Sequence, residues 1–72
     1  MAIRRELTVA LAEARIAGRT MYRVAAEAHV DPKTLARIAA GRQEPHRLTR
    51  EAIARALGRD PQELFPELVE RV

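Results

Sequence analysis

The stretch that decides the fold, residues 20–41, reads TMYRVAAEAHVDPKTLARIAAG. Its second half begins with Asp31, a residue type that caps helix N-termini, followed by Pro32, which is tolerated at the first helical position because its missing N–H would have no partner there. Gly41 marks the end, since glycine adopts the left-handed conformation of a helix C-terminus without strain. These signals predict a helix over about 32–40.

A second helix is predicted just before it, over about 21–28. Thr20 is a suitable cap, and the apolar residues that follow have helical spacing: Met21, Val24, Ala25 and Ala28. Only His29 and Val30 separate the two helices, and so short a turn holds them at a steep angle. The pair is therefore a helix-turn-helix unit, a common way to place a helix in the DNA major groove.

The N-terminal part predicts a helix over 2–17 that is closed by Gly18. Its apolar stripe comprises Ile3, Leu7, Ala10, Leu11 and Ala14. Val9 and Ile16 lie seven residues apart on a second face. We interpret them as the edge of the core, covered by a later helix, in preference to a dimer contact.

The C-terminal part predicts two more helices, over about 48–57 and 61–70. The first has apolar residues at Leu48, Ala52, Ile53, Ala56 and Leu57 and stops at Gly58. The second begins with Asp60 and Pro61, with Glu63 completing a capping-box-like pattern and Pro66 as a point of interruption. Its apolar positions are Leu64, Phe65, Leu68, Val69 and Val72. No stretch predicts a strand, so the fold class is all-α, a compact bundle of five short helices.

Composition restricts the function. The 72 residues form one expected domain, 1–72, with no cysteine and therefore no disulfide or thiolate metal site. His29 and His46 lack metal spacing, and His29 suits a left-handed turn position. The sequence has no catalytic set of residues and no phosphate-binding glycine loop, so we do not expect an enzyme, a cofactor, a metal or a small-molecule ligand. It has no long apolar run, so we do not expect a membrane segment. The expected location is the cytoplasm, in association with the nucleoid.

Positive charge is concentrated around the helix-turn-helix. The chain has 13 basic and 10 acidic residues, but residues 15–50 contain eight basic residues against three acidic ones. A clustered basic surface is typical of proteins that bind polyanions. Solvated surface arginines are the plainer interpretation, and the clustering argues against it.

At this point the chain resembles the lambda-repressor/Cro-like (XRE-type) helix-turn-helix family over about residues 7–65. The pair Val24 and Ala25 matches the family's second helix, and residues 31–41 match its third. Residues 42–45 resemble its basic loop, which ends in proline. Residues 53–58 (IARALG) and 60–65 (DPQELF) resemble its fourth and fifth helices. Each motif alone is weak, but all occur in order without gaps.

The resemblance implies a sequence-specific transcriptional regulator, a repressor that binds double-stranded DNA at a palindromic operator as a homodimer. It implies base contacts from Pro32, Lys33, Thr34 and Arg37. Backbone contacts are expected from Thr20, Met21, Arg23, Arg42 and Arg47. Helix 5 and the tail, 61–72, are the candidate dimer contact, with Leu64 and Phe65 assigned to the core and Leu68, Val69 and Val72 to the interface.

Two departures from the family pattern keep an alternative open. The family often has glutamine where this chain has Met21, and a polar base-reading residue where it has Pro32. Thr34 could also be structural, with its methyl group against the preceding helix. The alternative function is therefore a protein-interaction adaptor of the same fold, with RNA polymerase or a toxin as its partner.

Overall fold

The computed structural model describes residues 3–68, and this part of the chain consists of helices and connections without a strand. The helices are α1 (Arg5–Ile16), α2 (Met21–Glu27), α3 (Pro32–Ala39), α4 (Arg47–Leu57) and α5 (Pro61–Leu64), followed by a 3₁₀ turn (Pro66–Leu68). The predicted all-α fold with five helices and a central helix-turn-helix is confirmed.

The predicted caps at the starts of α2 and α3 are present. The Thr20 hydroxyl accepts a hydrogen bond from the Arg23 backbone N–H at 3.2 Å. The Asp31 carboxylate accepts one from the Lys33 backbone N–H at 2.8 Å. Asp60 caps α5 in the same way as Asp31 caps α3. Each cap satisfies an N–H that has no partner inside the helix, which defines where the helix begins.

Four helices end in the same hydrogen-bond pattern. At the end of α2, the His29 N–H donates to the Ala26 carbonyl at 3.1 Å and the Val30 N–H to the Ala25 carbonyl at 2.9 Å, which is a Schellman motif. Helices α1, α3 and α4 end with equivalent bonds around Gly18, Gly41 and Gly58. His29 takes the left-handed position with φ of 56°, where the other three helices have glycine. The prediction of a left-handed turn residue at His29 is confirmed.

The core lies between all five helices. Helix α1 packs against α3, α4 and α5, while α2 packs against α3 and α4. The largest fully buried side chains are Phe65, Leu7, Leu35, Ile38, Ile53, Leu64 and Val24. The assignment of Leu64 and Phe65 to the core is therefore confirmed. Burial of this apolar surface is the main source of stability in so small a chain.

The first helix differs from its prediction. It begins at Arg5, so Ile3 precedes it and is 63% exposed. Val9 and Ile16 are 49% and 88% exposed, and the interpretation that a later helix covers them is wrong. The physical reason is that α3, α4 and α5 all pack on the face of α1 that carries Leu7, leaving the other faces to solvent.

The last helix is shorter than predicted. It ends at Leu64 instead of continuing to 70, because Pro66 provides no N–H and disfavours a helical conformation at the residue before it. Phe65 accordingly has φ of −131° and ψ of 58°, and its side chain is buried. Helix α4 begins at Arg47, and its first apolar residue, Leu48, is 77% exposed.

Arg4 connects the end of α3 to residues 65–67 near the end of the described chain. Its backbone N–H donates to the Ala39 carbonyl at 2.9 Å, and its side chain is only 12% exposed. The side-chain partners are the carbonyls of Ile38 (2.9 Å) and Gln43 (3.3 Å), the carboxylate of Glu67 and the Phe65 ring, whose centroid is 5.9 Å away. These contacts hold α3 in place from its C-terminal side.

Candidate nucleic-acid interface

The surface of α3 divides into a buried face and an exposed face. Leu35, Ile38 and Ala39 are buried against the core. On the opposite side, three residues of the first two turns are exposed: Lys33, Ala36 and Arg37. Lys33 and Arg37 are four residues apart and therefore lie one turn apart on one side of the helix. The structure thus brings two of the predicted base-contacting residues together on an exposed surface.

The cations of this surface are not used in ion pairs within the described part of the chain. Within residues 3–68, Lys33, Arg37 and Arg42 form no ion pair with a carboxylate. An unpaired guanidinium on a helix can offer its planar set of donors to a guanine edge or to a phosphate. This surface therefore has the charge and the hydrogen-bond donors that a polyanion requires.

Thr34 lies away from this exposed face. It is half-buried and lines a polar groove of about 300 Å³ together with the 29–31 turn and the loop before α4. Its neighbours there include His29 and the loop residues Gln43, Glu44 and Pro45. Thr34 is thus at the flank of the α3 surface, one helical position round from Lys33.

Pro32 and Met21 are brought together in a second groove of about 410 Å³ between the starts of α2 and α3. Its lining consists of Met21, Tyr22, Asp31, Pro32, Lys33 and Ala36. Met21 is half-buried and packs against the core, whereas Tyr22 is 74% exposed. The sequence prediction missed Tyr22 and Ala36. Ala36 could have been found from its spacing of four residues after Pro32, but Tyr22 carries no such signal.

The predicted backbone-contacting arginines differ in whether a carboxylate lies close to them. Arg42 is exposed and follows α3 directly, and its backbone N–H donates to the Arg37 carbonyl at 2.9 Å. Arg23 and Arg47 are also exposed, but each is near a carboxylate one turn later: Glu27 at 3.6 Å and Glu51 at 3.3 Å, respectively. Such exposed pairs are weak and can open for a phosphate.

The loop that carries Arg42 is held at its far end. Pro45 is buried, and its carbonyl accepts a hydrogen bond from the Arg50 guanidinium at 3.1 Å. At the near end, Arg4 donates to the Gln43 carbonyl. Thr20, at the start of α2, is exposed, and its hydroxyl can donate to a phosphate while its oxygen keeps the cap bond to Arg23.

The candidate dimer residues are described only in part. Leu68, in the 3₁₀ turn, is half-buried and packs against the core. Val69 and Val72 lie outside the described residues. In residues 3–68, no group of three or more His, Cys, Asp or Glu side chains is arranged to hold a metal ion. Within the same part of the chain, none of the helices has the length and apolar character needed to cross a membrane.

Comparison with known proteins gives one finding. A family model described as "Helix-turn-helix" matches residues 11–64, which is about three quarters of the chain and includes α2, α3, α4 and α5 in full. Neither the curated proteins nor the solved structures provide a match. The matched range contains every candidate base-contacting and backbone-contacting residue.

Proposed function

The chain belongs to the lambda-repressor/Cro-like (XRE-type) helix-turn-helix family of DNA-binding regulators, and on that premise we propose that it is a sequence-specific transcriptional repressor that binds a palindromic operator as a dimer. The observation that carries this proposal is the exposed side of α3, where Lys33 and Arg37 form no ion pair with any carboxylate of residues 3–68. The family consists of regulators and is generally non-enzymatic. The proposed site of action is the nucleoid, in the cytoplasm.

Direct reading of bases is assigned mainly to Arg37 and Lys33. Arg37 can form two parallel hydrogen bonds with the O6 and N7 atoms of guanine, the commonest specific contact in the major groove. Lys33, one turn earlier, can reach a neighbouring base acceptor. Pro32 and Thr34 complete the proposed base-contacting set, Pro32 through its apolar ring and Thr34 from the flank of the helix.

Backbone contacts position the protein without reading sequence. We assign them to Thr20, Met21, Arg23, Arg42 and Arg47. Arg42 is the strongest member, because it is exposed, unpaired among the described residues and attached directly to the end of α3. The Met21 side chain can contribute only apolar contact with the sugar-phosphate chain, since it has no donor.

Dimer formation is part of the proposal because one such domain recognises only half of a site. We assign residues 1–72 to a single domain. Its proposed contact with a second copy consists of Leu68, Val69 and Val72. The partial burial of Leu68 shows that the 3₁₀ turn also supports the core, so the interface would be continuous with it.

The test is a selection of bound duplexes from a random library at near-physiological salt. Enrichment of an inverted repeat with half-site centres about 34–36 Å apart would support specific binding by a two-fold dimer. A single enriched half-site would support recognition without the dimer. Tight binding at low salt without enrichment would contradict sequence specificity.

The adaptor function is the second candidate, and one observation favours it. The groove lined by Met21, Pro32 and Ala36 is largely apolar, as a site for a protein side chain would be. Duplex binding that weakens steeply with salt would argue against the adaptor, since counterion release accompanies phosphate contacts. Absence of duplex binding even at low salt would favour it.

A further inference from the structure

We propose that the groove between the starts of α2 and α3 receives the C5-methyl group of a thymine, at the base pair next to the guanine that Arg37 contacts. This inference rests on the proposed function, because it requires duplex DNA in front of α3. It assigns a base preference to a surface where this chain has Met21 and Pro32 and the family often has polar side chains. Two properties of the groove carry it: the chemistry of its lining and its position on α3.

The lining exposes mainly carbon, although three of its six residues carry polar groups. Met21, Pro32 and Ala36 have no N–H or O–H group in their side chains, and Pro32 also has no backbone N–H. The exposed Tyr22 stands at the side of the same groove. In the major groove, thymine is the one base whose edge presents an apolar group, its C5-methyl. An apolar lining therefore fits thymine better than any other base.

The position of the groove places it beside the cationic side of α3. Pro32 and Ala36 are four residues apart and form an apolar row, one turn in length. Lys33 and Arg37 form a parallel row, displaced by one residue and hence by about 100° around the helix axis. When Arg37 faces one base pair, the apolar row faces its neighbour. The inferred thymine is therefore adjacent to the guanine of Arg37.

The charge in the groove does not favour a phosphate as its occupant. Asp31 forms part of the lining, and its carboxylate accepts a hydrogen bond from the Lys33 backbone N–H at 2.8 Å. Lys33 also lines the groove and carries the opposite charge, so the lining has no net charge that would attract a phosphate. A thymine methyl group needs no charge from its site.

The first experiment uses the duplex enriched by the selection. Each thymine is replaced in turn by deoxyuridine, which lacks only the C5-methyl group, and dissociation constants are compared at one salt concentration. We expect about four-fold weaker binding at one position per half-site, the factor that corresponds to burial of a single methyl group. This position should neighbour the guanine whose contribution is lost in Arg37→Ala.

Two matched variants locate the effect in the groove. Ala36→Gln places a long polar side chain in it, and the ratio of deoxyuridine to thymine dissociation constants should fall to about one. Ala26→Gln makes the same change at an exposed alanine of α2 that does not line the groove, and the ratio should stay about four. Alanine and glutamine both favour helix, and urea unfolding of each variant checks that it folds.

The outcomes separate this inference from the proposed function. Equal affinity for thymine and deoxyuridine at every position of an enriched site would overturn the inference and leave the proposed function intact. Methyl-dependent binding that persists in Ala36→Gln would also overturn it, because the methyl group would then lie elsewhere. Failure to enrich any sequence would overturn both, and would direct attention to an apolar protein side chain as the occupant.

Discussion

Two groups of basic residues differ in what surrounds them, although both consist mainly of arginine. The fastening arginines, Arg4, Arg19 and Arg59, each contact a carboxylate that is distant in sequence or a backbone carbonyl. Arg19 contacts the Glu27 carboxylate and the Ala56 carbonyl, and Arg59 lies 2.5 Å from a Glu13 carboxylate oxygen. The open cations, Lys33, Arg37 and Arg42, have no such partner within residues 3–68.

This comparison indicates that the groups around an arginine side chain decide whether it stabilises the fold or is available for binding. A fastening arginine connects parts of the chain that are far apart in sequence, as Arg4 does with Glu67, and its donors are used inside the protein. An open cation contributes no internal bond and adds repulsion, which is tolerable on an exposed surface. Its donors stay available for phosphate and guanine. Stability and binding should therefore respond to different substitutions.

The largest expected effect on stability is that of Arg4→Ala. We expect the free energy of unfolding to fall by about 2 kcal/mol, from two lost hydrogen bonds of about 1 kcal/mol each, with further loss from the packing on Phe65. Urea unfolding measures this change. Arg37→Ala is the matched control and should change the free energy of unfolding by less than about 0.5 kcal/mol. Equal losses would abolish the distinction between the two groups.

Arg37→Ala should have the largest effect on recognition. We expect the preference for the selected site over random duplex to fall by about 1–3 kcal/mol, because a bidentate contact to guanine is lost. Competition binding with both duplexes measures the preference. Arg19→Ala serves as the control, since its donors are used within the protein, and it should keep the preference once its own lower stability is allowed for. Equal weakening on both duplexes by Arg37→Ala would rule out base reading.

Arg42→Ala should weaken binding to all duplexes alike. The logarithmic salt dependence of the binding constant should become shallower by about one unit, the signature of one lost phosphate contact. Titrations at several salt concentrations provide the slope. If the slope is unchanged, Arg42 does not contact a phosphate, and the group of open cations is smaller than we infer.

Glu51→Gln gives the smallest expected effect and sharpens the comparison at its boundary. Arg47 is exposed and paired with Glu51 only one turn away, so it belongs fully to neither group. Loss of the pair should change the free energy of unfolding by at most about 0.5 kcal/mol. Removal of the negative charge should slightly strengthen binding to every duplex. A large loss of stability instead would place Arg47 among the fastening arginines.

Most of the helix-turn-helix could be predicted from the sequence because its signals are local. The cap at Asp31 and the glycine at Gly41 lie within a few residues of the bonds that they form. The start of α1 could not be predicted in this way, because Arg4 bonds to the carbonyl of Ile38, 34 residues away. The exposure of Val9 could not be predicted from the spacing of apolar residues either. That spacing identifies a face of the helix but does not tell whether another helix covers it.

The candidate site follows the same rule. Lys33 and Arg37 could be placed on the outside of α3 from their spacing relative to the buried Leu35. The apolar groove could not be predicted, because it is formed by two helices whose relative placement the local sequence does not determine. Thr34 was correctly assigned to α3, but its position at the flank depends on the loop before α4.

The repeated Schellman ends of α1 to α4 have a consequence for how fast the chain folds. Each helix stops through bonds within six consecutive residues, so the signals that end it are local in sequence. Little of the conformational search is then spent on where helices end, and the remaining steps bring together helices that are distant in sequence, such as α1 and α5. Helical domains rich in such local contacts fold within about microseconds to milliseconds. A domain with these helix ends should therefore be folded almost as soon as its chain is released from the ribosome.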